Sequence, residues 1–227
     1  MADKLLPYRA LEHSHKDTEA LMSKNNNQDV LQTSPTPCKT RRLLWLFLSV
    51  GVILADQLSK WLVVEHVINP ILSGKSGVNF IHWYMQEPQI TESASLRITS
   101  FFNIVMAWNT GVSFSLFNDM GALGSYLLIA IALGITLLFG YWLMRTSHIL
   151  YGIGYALVIG GALGNVIDRA RFGAVIDFLD VHAYGYHWPA FNVADISVVT
   201  GIGLLIIVSL FFDLEVKKRY RDNHNQT

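Results

Sequence analysis

Charge is scarce in this sequence: Asp, Glu, Lys and Arg make up only 15% of it against 52% hydrophobic residues, and the two signs cancel, 17 against 17. The mean hydropathy of +0.34 is too apolar for a soluble domain of this length, so the chain reads as a membrane protein. With no net positive charge there is no argument for a nucleic-acid partner. Cysteine is nearly absent. Cys38 alone excludes an intrachain disulfide, and its context SPTPCKT offers no Cys or His at metal-ligand spacing, so it reads as a free thiol.

What the sequence does contain is long apolar runs. Residues 1–40 come first and are polar, with NNNQD and SPTP, and cannot bury enough apolar surface to offset ordering entropy; a disordered cytoplasmic N-terminal tail is expected. The first apolar run follows Arg41 and Arg42, too late and too long for a cleaved signal peptide, and so reads as a retained anchor. Four spans are predicted, at about 43–64, 122–143, 149–168 and 193–212, each near the roughly 20 residues that cover a bilayer core. Together they make a membrane domain over 41–212, followed by a basic cytoplasmic tail over 213–227. Between the first two spans Phe101, Phe102, Ile104, Val105, Trp108, Val112 and Phe114 favour strands, and Asn109-Thr110-Gly111 reads as a turn. The expected fold is an all-α integral membrane protein: four transmembrane helices with a small β-sheet and loop at the outer membrane surface.

Orientation follows from the cations. Lys39, Arg41 and Arg42 precede the first span, Arg145 separates the second and third, and Lys217, Lys218, Arg219 and Arg221 follow the fourth. The positive-inside rule then puts both termini in the cytoplasm.

Ionisable residues in or beside spans are the functional candidates. Asp168 closes the third apolar run and Asp195 opens the fourth, so both are expected at the outer face, each with an Asn three residues upstream, Asn165 and Asn192. Asp56 and Lys60 are i, i+4 on the first span, where they can neutralise one another. Two carboxyls sharing a site hold a proton between them, which suits aspartic-protease chemistry. From spacing alone, a cation or proton path through Asp56, Asp168 and Asp195, or structural pairing with Arg169 or Arg171, stays equally open. The lack of internal repeats counts against a transporter. Asp177, in the loop expected over 169–192, reads as an ion-pair partner of Arg169 or Arg171. His182 and His187, with Asp177 and Asp180, match no standard zinc motif and read as ordinary interface histidines.

Four motifs in order, ADQLSKW, FFNIVMAWNTGVSFSLF, GGALGNVIDRARFGAVIDF and FNVADIS, resemble the lipoprotein signal peptidases, bacterial signal peptidase II, over about Arg41 to Phe212. The resemblance implies an aspartic endopeptidase with Asp168 and Asp195 as its catalytic pair. It also implies supporting or substrate-binding roles for Asp56, Gln57, Lys60, Asn109, Gly111, Asn165, Arg169 and Asn192, with no metal and no cofactor. The implied substrates are prolipoproteins carrying a diacylglyceryl-cysteine, cut just before that cysteine at the outer face of the bacterial inner membrane, with membrane lipid in contact and globomycin-type cyclic peptides as inhibitors. The N-terminal tail and the long 72–95 segment depart from the family pattern.

Overall fold

The computed structural model describes residues 39–74, 77–86, 93–111 and 122–224. The expected N-terminal tail, apart from its last two residues, and the strand-favouring Val112 and Phe114 lie outside them. Helix α1 (Lys39–Val63) continues through a π-helical turn, Val64–Ile68, into the short α2 (Asn69–Ser73), which ends on Gly74 at φ 66°. Its apolar part, Arg41–Ser73, runs 33 residues and is longer than the sequence predicts. The wide turn buries Glu65, whose carboxylate accepts from Asn69 Nδ2 at 3.0 Å and from the backbone of Val78 at 3.2 Å, tying the helix to the segment that follows. There α3 (Phe80–Met85) forms, capped by the side chain of Asn79 accepting from His82 N.

The other long helices are α4 (Ala122–Arg145), α5 (Ile149–Phe172) and α6 (Val193–His224). Including α1, four helices among the described residues are long and apolar enough to cross a membrane. α5 is central, packing on α1, α4 and α6. Its glycines permit that approach: a Cβ at Gly161 would overlap the carbonyl oxygen of Ala194 on α6, so the two helix backbones are in direct contact. α4 is the opposite case: little of its apolar surface is covered by the other described residues, which leaves it free to face lipid.

A small antiparallel sheet sits against the helix ends in the order β1 (Ala94–Arg97), β2 (Phe102–Asn109), β3 (Val175–Ala183), β4 (Tyr186–His187). β2 pairs Asn103 with Asp180 and Ala107 with Asp177, and a bulge lies between Ile104 and Ala107. The core beneath the sheet is Val64, Ile68, Trp83, Met106, Ile176 and Phe178; a second cluster, Trp45, Leu143, Ala156 and Ile159, closes the far end of the bundle.

The third span does not stop at Asp168: α5 runs a further turn to Phe172, and the left-handed Gly173 ends it. The expected loop over 169–192 contains the strands β3 and β4. Residues 175–178 are buried on both faces, so the segment lacks the apolar-polar alternation by which a half-buried strand is read.

Candidate active site

Asp56 and Lys60 pair along α1 as their spacing predicts, with Lys60 Nζ 2.7 Å from Asp56 Oδ2. The same ammonium is 2.7 Å from Oδ2 of Asp168 on α5. All three residues are fully buried. Asp168 also accepts from Gln57 Nε2 at 2.8 Å and from Ile176 N at 3.1 Å, and the other oxygen of Asp56 accepts from Ala194 N at 2.9 Å. That amide belongs to the first turn of α6, whose N–H groups lack intrahelical partners. The cluster therefore ties α1, α5, the start of β3 and the start of α6 to one buried cation. Gly164 makes room for it, since a Cβ there would stand 2.7 Å from Asp56 Oδ2.

Asp195 lies in a different setting. Asn192 and Asp195 form a reciprocal cap at the start of α6: Asp195 N donates to Asn192 Oδ1 at 3.0 Å, and Asn192 N donates to Asp195 Oδ2 at 3.2 Å. Asp195 Oδ1 accepts from Asn165 Nδ2 at 2.8 Å. The Asn192 side-chain amide donates in turn to Asp177 Oδ1 at 2.7 Å and to Asn165 Oδ1 at 3.2 Å. Asn109 at the end of β2 donates to the second Asp177 oxygen at 2.9 Å. Burial, and then the neighbouring charge of Asp195, push the Asp177 carboxyl up to about 7 even though the hydrogen bonds from Asn109 and Asn192 oppose the shift.

The structure thus separates the two carboxyls that the sequence reading paired. Asp168 is sealed against Lys60, and the carboxyl coupled to Asp195 is Asp177. Among the described residues, neither Arg169 nor Arg171 forms an ion pair with Asp177 either. Arg171 lies over the rings of Trp83, Tyr84 and Phe172, at 4.5, 4.4 and 4.6 Å. Arg169 stands within electrostatic reach of Asp177, Asp195 and Asp168, and its Nε has no hydrogen-bond partner. A signal for Asp177 was present in VIDFLDVHA: read as a strand, it sets this acid beside the strand that carries Asn109.

Asp177 and Asn109 line a cavity of about 260 Å³ together with Ala107, Trp108, Thr110, Pro189 and Ala190. Asn109 is aimed by a tight turn in which Gly111 N donates to Asn109 Oδ1 at 2.9 Å. Gly111 has φ 90°, and a Cβ there would also meet Leu128. Gly111→Ala is expected to strain this turn by about 1–2 kcal/mol and to misdirect Asn109. Activity should fall well beyond what a drop of a few degrees in melting temperature explains; an Ala variant with wild-type turnover would refute the role given to the turn.

A multi-pass membrane protein with a coupled-carboxyl centre where its spans meet a small sheet is the class these elements define. The model of the family described as signal peptidase (SPase) II matches residues 48–211, and the chain belongs to that family. The lipoprotein signal peptidase of Shewanella piezotolerans is 35% identical over 186 residues, 81% of this chain and 96% of that protein. That of Methylobacterium radiotolerans is 46% identical over 114 residues, 50% of this chain and 67% of that one. A bacterial membrane enzyme solved at 2.3 Å superposes with a TM-score of 0.55 at 25% identity, covering 74% of this chain and 87% of the other. The protein is a multi-pass bacterial membrane peptidase of the lineage that removes signal peptides from prolipoproteins.

Proposed function

We propose that this peptidase is of the aspartic type, that Asp177 and Asp195 are its catalytic pair, and that it cuts diacylglyceryl-modified prolipoproteins immediately before the lipid-bearing cysteine. The observation that carries the reading is the coupling of these two acids through Asn192, with Asp177 raised to about 7 by burial and by Asp195. One carboxyl is thereby poised to hold a proton near neutral pH while the other accepts one. Asp195 takes a proton from water and the resulting hydroxide adds to the scissile carbonyl. Asp177 donates a hydrogen bond to the carbonyl oxygen, and collapse of the tetrahedral intermediate delivers a proton to the leaving amine. This chemistry requires no metal and no cofactor. The unpartnered Arg169 Nε is available to offset charge that develops beside the pair.

Asn109, Asn165 and Asn192 position the pair. Asp56, Lys60 and Asp168 hold the helices that carry it, so the part assigned to Asp168 here is architectural. The cation distribution favours cytoplasmic termini and a site at the outer face of the inner membrane. There the substrate's acyl chains and apolar signal helix stay in lipid while the scissile bond meets water. Globomycin-type cyclic peptides are expected to compete for the same cavity.

The purified protein in detergent, given a synthetic diacylglyceryl-modified prolipoprotein, should release a peptide ending at the residue before the modified cysteine, as read by mass spectrometry. Cleavage elsewhere, or equal cleavage of an unmodified substrate, would overturn the substrate assignment. The pH profile tests the acid. Asp177 is protonated below about 7 and loses its proton above, so kcat should fall as pH rises through about 7, approaching about tenfold per pH unit. A rate flat from pH 6 to pH 9 would exclude Asp177 as the proton donor.

A further inference from the structure

The geometry points to a zinc-type divalent metal site on the face of the β3–β4 hairpin, formed by Asp180, His182 and His187. Asp180 and His182 are two apart on β3 and so project to the same side, and His187 is the cross-strand partner of His182. One ligand atom from each of the three lies within 4.8 Å of the others. The two imidazoles are stacked, with centroids 4.7 Å apart and planes 12° from parallel. In linear sequence the pattern D-x-H-x4-H resembles no zinc motif; it becomes a three-ligand cluster only because β3 and β4 fold back on one another.

Two further observations favour a cation. Nδ1 of His182 is buried and has no hydrogen-bond partner. Asp180 is oriented in the manner of a ligating carboxylate: its Oδ2 accepts from Asn103 Nδ2 on β2 at 2.7 Å and contacts His187 Nδ1 at 2.9 Å.

A nitrogen-nitrogen-oxygen donor set suits Zn²⁺ at about 2.0–2.2 Å, with ligand atoms roughly 3.4 Å apart, so modest rotation of the two rings completes the first three positions. The fourth would be water. Asp177, three residues before Asp180, projects from the other face of β3 and is not among the ligands, so the metal takes no part in cleavage. Its effect is to clamp β4 to β3 and, through Asn103, to β2. Those are the strands that carry Asp177 and Asn109.

The test is Zn²⁺ titration of the full-length protein in detergent, with Co²⁺ as a visible reporter. The wild type should bind one Zn²⁺ per chain and give the intense d–d absorption of four-coordinate Co²⁺. His182→Asn and His187→Asn should each weaken binding by at least about tenfold, and Asn103→Ala by about tenfold through loss of the carboxylate's orientation. Asp177→Asn should bind as the wild type does, which separates this site from the proposed catalytic pair. Equal affinity of the wild type and the His182→Asn/His187→Asn double variant would overturn the proposal, because any metal bound would then lie elsewhere on the chain.

Discussion

Asp177→Asn and Asp195→Asn are each expected to reduce kcat/KM on a lipid-modified prolipoprotein by about 100- to 10,000-fold while the protein accumulates and melts nearly as the wild type does. The amide matches the carboxyl in shape but can neither take a proton from water nor donate one to the leaving amine. At position 177 the cost to folding is small: one NH₂ then faces the donor of Asn109 or Asn192, a loss of about 1 kcal/mol. At position 195 one of the two capping hydrogen bonds survives, because Asn192 still accepts from the backbone of residue 195. Asp168→Asn should behave differently, lowering accumulation and melting temperature while the folded fraction keeps much of its turnover. The decisive comparison is activity per folded molecule. Loss of turnover in Asp168→Asn with unchanged melting, together with an active Asp177→Asn, would restore the pairing that the sequence suggests.

The second large effect is on stability. Lys60→Met removes the ammonium that lies 2.7 Å from both Asp56 and Asp168, which are fully buried. An ion pair broken on one side leaves uncompensated buried charge, and the expected loss is about 3–5 kcal/mol, seen as poor accumulation and early thermal unfolding in detergent. Lys60→Met combined with Asp56→Asn and Asp168→Asn should be more stable than Lys60→Met alone, since the stranded charges are gone. A Lys60→Met protein as stable as the wild type would mean that the cluster does not hold the helices together.

The sequence by itself indicated a membrane protein, because four apolar runs, each long enough to cover a bilayer core, accompany a composition poor in charge. It determined the Asp56–Lys60 pair, fixed by i, i+4 geometry on one helix, and the linkage of Asn192 to Asp195, fixed by the three-residue spacing of a helix cap. The four ordered motifs also carried the family. Contacts of this kind are local, and a helix imposes them whatever surrounds it.

Which acid stands beside Asp195 was decided only by tertiary structure. Asp168 and Asp177 are nine residues apart and lie in the same motif, but α5 continues past Asp168 and turns its carboxyl toward Lys60, while β3 returns along β2 and sets Asp177 against Asn109 and Asn192. The strand that does this is buried on both faces, so it carries no alternation from which to predict it. The grouping of Asp180, His182 and His187 likewise depends on a hairpin whose pairing is non-local. Helical spacing can be read along the chain, whereas a strand's partners are chosen by what packs above and below it.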